Sequence, residues 1–294
     1  MKNDLLYNYD IDIEHLNEFE GGAYFYLNDV KYYFVKCNRA AEDVNMLYRF
    51  LKGVINQYHE IVVNKFGQIF TSENYVLLII KGGEMLDVDL IDIVNNHIEI
   101  VGNLSLGRYN WALLWGEKVD YLEYQVSELA GKYKIVRSSF SYYAGLAENA
   151  IEYFNMVDKS GMKVYLQQKK IYYKNKMINY YNPLGLVADY SVREMAEYIK
   201  ACFFNGEEIF DEICRVVNLS FLSESEYNLL FCRLLYPNYY FDEIGKIFEE
   251  KKEEEQILKY ISKVADYEKF LGDVFQLFSG KCRMIELDWL IKRL

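Results

Sequence analysis

The chain begins in a strand-like pattern and ends in a helical one. Residues 5–36 read as β structure. The pair Gly21-Gly22 precedes AYFYLNDVKYYFVKC, whose two aromatic-rich runs flank Asn28-Asp29, a dipeptide suited to a tight hairpin turn. Lys36 closes the second run behind Phe34 and Val35, which favour strand. Val44, Leu47, Leu51 and Ile55 then recur at helical spacing and predict a helix over about 40–57. Glu42 and Asp43 fall in its first turn, where the helix dipole favours negative charge. A second hairpin is predicted over EIVVNKFGQIFTSENYVLLIIKG, with turns at 64–67 and 72–74.

Gly82-Gly83 reads as a hinge-like break, after which the pattern is helical. Val119, Leu122, Val126 and Leu129 share one face, and Leu146, Ala150, Ile151 and Phe154 share another. Beyond Phe204 helices are predicted to the end. The acidic run 249–255 is read as a solvated helix face, because apolar periodicity resumes directly after it. Two lobes are therefore expected, β-rich over 1–82 and helical over 83–294. The order strand, strand, helix, strand, strand is that of the small lobe of protein-kinase-like folds, an analogy of order alone.

Composition narrows the function classes. At 294 residues and 52% hydrophobic, the chain suits one large domain or two lobes and is not a disordered protein. A net charge of −11 argues against nucleic acid or an anionic membrane surface as the main partner. Five cysteines, widely spaced and odd in number, point to reduced, mostly buried thiols rather than a disulfide framework or zinc site. His15, His59 and His97 lie far apart and are read as structural or exposed, since metal sites need convergent ligands. The N-terminal stretch has no basic region followed by an apolar run, so no signal peptide is expected. The longest strongly apolar run, 75–80, is too short to span a bilayer.

Candidate chemistry concentrates between Lys163 and Phe204, read as short strands and turns that deliver Asp189 to the mouth of a helix. Phosphoryl transfer in kinase-like folds uses a small-lobe Lys paired with a helix carboxylate, a catalytic-loop Asp as base, an Asn five positions later, and a second Asp for metal. With Asp189 as the second Asp, position 170 lies nineteen residues before it (189 − 170 = 19) and holds Lys, not Asp. Position 168, where a His is usual, holds Gln. Position 175 is Asn, which suits a metal ligand but reads more simply as a turn residue in KNKM. Lys170 is cationic near neutral pH and cannot act as a carboxylate base.

Asp189 is read either as a metal ligand or as an exposed residue before the helix cap. Ser191 and Glu194 form a capping-box pattern, and Val192, Met195, Ala196, Ile199, Cys202 and Phe203 an apolar face. Only two residues separate Asp189 from Val192, too few for the usual substrate platform. Lys36 is the candidate phosphate-holding lysine or a strand-end surface lysine. Glu42, with Asp43 an equal contender, is its candidate partner or a helix-start charge.

SYYAGLAENAIEYF (141–154), ADYSVREMAEYIKACFF (188–204) and FCRLLYPNYYFDEI (231–244) together resemble the YutH-type spore coat proteins. These are relatives of the CotS spore coat group, which in turn resemble aminoglycoside and choline phosphotransferases. The resemblance implies an α+β, two-lobed kinase-like fold and a role in endospore formation. It implies partners among coat or sporulation proteins, and a place in the mother-cell cytoplasm or the coat. The family carries a His where this chain has Gln168, and Arg-Asp where it has Arg193-Glu194.

The reading that follows is a catalytically impaired kinase-like binding protein. The alternative is an active small-molecule phosphotransferase using ATP and magnesium, with Lys36, Glu42, Asn175 and Asp189 in the site. A third option is a purely structural coat component. In it the aromatics of YPNYYF are either a docking surface or core.

Overall fold

A computed structural model describes residues 1–53, 58–81, 87–100, 106–129, 131–172, 174, 177–219, 222–250 and 252–291. The chain divides into two compact units. The first comprises residues 1–88, 102–106 and 174–187, and the second 89–101, 107–173 and 188–294. The expected break at Gly82-Gly83 lies outside the described residues.

The first unit opens with a helix, α1 (Lys2–Tyr9), where the sequence pattern predicts strand. Asp10 ends it in the left-handed conformation, and Leu5 is fully buried among Phe25, Phe34 and Leu77. So short a helix owes its existence to that packing rather than to propensity. Strands β1 (Asn17–Phe19), β2 (Gly22–Leu27) and β3 (Val30–Lys36), helix α2 (Ala41–Lys52), and strands β4 (Glu60–Val62) and β5 (Tyr75–Ile79) follow. The sheet order is β1-β2-β3-β5-β4, antiparallel throughout.

Asn28 and Asp29, at φ 51° and 62°, form the predicted β2–β3 turn; both central residues of such a turn need positive φ. Alternation across the sheet gives two cores. Phe25, Phe34 and Leu77 face Leu5 of α1, while Val76, Leu78 and Ile61 pack with Val44 of α2.

In the second unit come α3 (Leu90–Asn95), β6 (Ile98–Glu99), α4 (Trp111–Leu129), α5 (Lys134–Met156) and β7 (Tyr165–Gln168). A short helix, α6 (Met177–Tyr180), lies in the segment that belongs to the first unit. Strand β8 (Leu186–Asp189) and α7 (Arg193–Phe204) then carry the chain into the helical remainder. That remainder is α8 (Phe210–Leu219), α9 (Glu224–Leu235), α10 (Asn238–Glu250), α11 (Leu258–Ile261), α12 (Val264–Ser279) and α13 (Asp288–Ile291).

Helix α5 buries Val136, Phe140, Tyr143, Ala147, Ala150 and Phe154 at three- and four-residue spacing against α4 and α9. Every residue of α9 from Tyr227 to Leu235 is buried. The aromatics of YPNYYF are mostly core: Tyr236, Tyr240 and Phe241 are buried, and Tyr240 stacks on Tyr143 at 3.6 Å.

Two expectations are corrected here. The acidic run 249–255 is not a continuous solvated helix face. Helix α10 ends at Glu250, and the Glu254 carboxylate accepts the N–H groups of Lys134, Ile135 and Val136 at 3.1, 2.9 and 3.2 Å. The start of α5 leaves these donors without intrahelical partners, and an acidic group is the favourable cap. Ser191 and Glu194 do not form a capping box either. Val192 occupies the N-cap, and both side chains bond to distant elements.

No helix among the described residues is long and apolar enough to cross a membrane. Cys37, Cys202 and Cys232 are buried, and all five cysteines are free thiols.

Candidate functional site: a cationic pocket beneath a buried aspartate

Strand β7 and helix α7 are held together by reciprocal bonds. The Glu194 carboxylate accepts the backbone N–H of Gln168, and the Gln167 side chain accepts that of Glu194 at 3.2 Å. Gln168 is buried and anchors the loop that carries Lys169 and Lys170. Next to it, Ser191 donates to Glu226 of α9 at 2.7 Å.

Asp189, at the end of β8, is fully buried. Three donors converge on its carboxylate. Trp111 Nε1 donates to both oxygens at 2.8 and 3.1 Å, the Tyr190 N–H donates at 2.8 Å, and Arg193 pairs with it at 2.5 Å. Burial pushes the Asp189 carboxyl up, while the Arg193 and Arg233 guanidiniums favour its charged form. Arg193 also donates to the Lys169 carbonyl at 2.9 Å, and its Nε has no partner.

A second buried network lies alongside. Glu197 accepts from Arg233 Nε at 3.2 Å and from Asn238 at 2.7 Å, and pairs with Lys200 at 3.5 Å. Burial alone would raise the Glu197 carboxyl, but Lys200 and Arg233 outweigh it and hold it at about 2. Burial brings Lys200 down to about 8. The Arg233 guanidinium lies over the Trp111 ring at 4.8 Å, and Trp115 stacks on Tyr236 at 4.2 Å.

These groups floor or line a cavity of about 310 Å³ within the second unit. Its charged lining is Arg108, Lys118, Lys169, Lys170, Arg193 and Arg233 against Glu197 and Asp242. Lys170 pairs with Asp242 of α10 at 2.8 Å. Although burial works against its charge, Asp242 outweighs that and raises the Lys170 ammonium above its ordinary value. The residue is therefore a firm cation at the position where the sequence spacing leads one to expect a base.

The remaining sequence candidates belong to the first unit or fall outside the described residues. Lys36 is exposed at the end of β3, paired in register with Tyr75, and Glu42 is exposed in the first turn of α2. No ion pair joins them. The ion pair at this place is Arg39–Asp43 at 3.6 Å, and Arg39 also donates to the Leu184 and Leu186 carbonyls at 3.1 and 2.6 Å. Lys36 and Glu42 belong to the first unit, Asp189 and Lys170 to the second. Asn175 lies outside the described residues.

His59 is buried, its Nδ1 accepting the Lys81 N–H at 3.3 Å; His15 is exposed; His97 is half-buried against Tyr165. The described residues contain no group of three or more His, Cys, Asp or Glu arranged to hold a metal. Asp189 as placed does not fit a magnesium ion, because N–H donors and a guanidinium occupy both its oxygens.

Residues 105–274 match the family model described as "Spore coat putative kinase YutH". The chain belongs to this family. It is similar to the endospore coat-associated protein YutH of Bacillus subtilis, at 25% identity over 208 residues. That match covers 62% of this chain and 61% of the relative's length.

Among solved structures, an aminoglycoside phosphotransferase from Alicyclobacillus acidocaldarius superposes with a TM-score of 0.61 at 11% identity, covering 92% of this chain and 94% of that one. An AMP-bound spectinomycin phosphotransferase gives 0.56 at 10% identity, with 96% and 98% covered. At these identities it is the fold that is shared: α+β, two-lobed and kinase-like, with a small antiparallel sheet and a helical lobe.

Sequence reasoning missed Trp111, Arg108, Lys118, Glu197 and Arg233. One signal was present: Arg233 stands alone in the apolar run LLFCRLLY, and a charge at such a position needs a buried partner.

Proposed function

We propose that this chain is a kinase-fold protein of endospore formation that binds a ligand or a coat partner without transferring phosphate. The observation that carries this reading is the engaged state of Asp189. A magnesium ion at its carboxylate would have to displace both Arg193 and Trp111. Lys170, held as a cation by Asp242, supplies no general base. The family description and the coat-associated relative support a location in the coat or the mother-cell cytoplasm, with coat proteins as partners. Nucleic acid and membrane insertion form no part of the reading.

One observation favours a second reading, ATP- and magnesium-dependent transfer to a small molecule. Asp242 brings a carboxylate to within 2.8 Å of Lys170, beside the expected place of the base. A single assay separates the two readings. The purified chain is incubated with γ-labelled ATP and magnesium, alone and with coat extract, and no label should move. Label transfer that Asp189→Ala abolishes would overturn the first reading, and transfer that Asp242→Asn abolishes would select the second.

A further inference from the structure

The pocket under Asp189 is strongly cationic in an acidic protein. Its two lining carboxylates are already committed, Glu197 to Lys200 and Arg233 and Asp242 to Lys170, as is the neighbouring Asp189 to Arg193. Arg108, Lys118 and Lys169 have no salt-bridge partner among the described residues, yet all three line the same cavity. A pocket with uncompensated like charges is unfavourable when empty of anions. The Lys169 ammonium records this: burial pushes it down, and Arg108, Lys170 and Arg193 push it down further.

The Arg193 guanidinium is pre-placed, and the backbone that carries Arg108 is anchored. Arg193, only 9% exposed, is fixed by Asp189 and the Lys169 carbonyl, and the residue lines the cavity. Arg108 follows Gly107, which bridges to Ala188, and its own N–H donates to the Ala188 carbonyl at 2.8 Å. A pre-placed guanidinium such as that of Arg193 loses little entropy on meeting an anion and matches the geometry of a phosphate.

From this excess of lining cations, with Arg193 already fixed in place, we infer that the pocket is a receptor for a small phosphate monoester. This rests on the binding reading above and names the class of ligand. At about 310 Å³ the cavity is near the lower end of small-molecule sites, a size for a sugar phosphate rather than a larger polyanion. Arg193, Arg108 and Lys169 would hold the phosphate oxygens by charge-assisted hydrogen bonds. A cationic substrate of the aminoglycoside kind is disfavoured by the same charges.

The test is calorimetric titration of the full chain with glucose 6-phosphate, glucose, inorganic phosphate and kanamycin, with quenching of tryptophan fluorescence as a second readout. Glucose 6-phosphate should bind, inorganic phosphate more weakly, and glucose and kanamycin not at all. Arg108→Gln with Lys169→Gln should weaken binding at least about tenfold, the cost of losing one or more charged hydrogen bonds. Neither side chain makes an ion pair among the described residues and the two repel each other, so the ligand-free melting temperature of the double variant should hold or rise.

Absence of glucose 6-phosphate binding, binding unchanged in the double variant, or binding of kanamycin instead overturns the inference. Its failure is separable from that of the reading it rests on. Binding together with label transfer from ATP sinks only the non-catalytic reading, and silence in both assays sinks only the phosphate receptor.

Discussion

The Trp111 indole N–H donates to both carboxylate oxygens of Asp189, at 2.8 and 3.1 Å, inside the second unit where water does not reach. Trp111→Phe keeps an aromatic ring, though a smaller one, and removes the donor. It should destabilise the protein by about 1–3 kcal/mol, the cost of leaving a buried acceptor short of a partner. Asp189→Ala should cost more, about 3–5 kcal/mol, since it strands the Arg193 guanidinium. Urea unfolding midpoints should rank wild type above Trp111→Phe, and Trp111→Phe above Asp189→Ala. The reverse order would mean that the carboxylate and its donors are not the main contribution of Trp111 to stability.

Acid should find Glu197 late. Its carboxyl is held at about 2 because Lys200 and Arg233 outweigh its burial. A folded-state pKa below the unfolded value contributes stability that is present above the unfolded pKa and is lost as pH falls through the folded one. Wild type should therefore lose about 3 kcal/mol between roughly pH 5 and pH 2 that Glu197→Gln does not lose. The two stability curves should be widest apart near neutral pH and close on each other in acid. Parallel curves would remove the ion pairs from the explanation.

Lys170→Asp restores the residue type that phosphotransfer chemistry wants at that position. It should not restore transfer of label from ATP, because Asp189 stays occupied by Trp111 and Arg193. It also sets a carboxylate against Asp242, and two such neighbours resist joint ionisation. The lost Lys170–Asp242 pair is itself worth little, under about 1 kcal/mol, since both side chains are more than a third exposed. Turnover appearing with this one change would show that the base alone had been missing.

Glu254→Ala removes the carboxylate that receives three N–H groups at the head of α5. A loss of about 1 kcal/mol is expected, in line with other helix caps. Thermal unfolding followed by circular dichroism would measure it, and no change would mean that water caps the helix equally well.

What could be read in advance was local chemistry. Asn28-Asp29 announces a tight turn because its own φ preferences make one, and Val44, Leu47 and Leu51 announce α2 because spacing alone places them on one face. What could not be read was partnership over distance. Ser191 and Glu194 carry the letters of a capping box, yet one bonds to Glu226 and the other to Gln168.

Helix α1 escaped because a single buried leucine and a sheet formed later in the chain account for it. The apolar face of α7 was legible, but its polar face is buried as well. Arg193 meets Asp189 and the Lys169 carbonyl, and Glu197 and Lys200 meet partners on α9 and α10, none of which periodicity in α7 can report. The pocket's cations come from separate stretches around 108–118, 169–170, 193 and 233, so only the folded chain brings them together.

Arg39 grips the carbonyls of Leu184 and Leu186, and Leu184 also packs into the core formed around Val44 and Leu78. During synthesis those carbonyls do not yet exist when residue 88 leaves the ribosome. Another 99 residues (187 − 88) must follow, on the order of 5–20 s at bacterial elongation rates. For that interval the nascent sheet keeps one arginine and one apolar patch waiting, so a chaperone that holds the emerging chain would meet it at the α2 side.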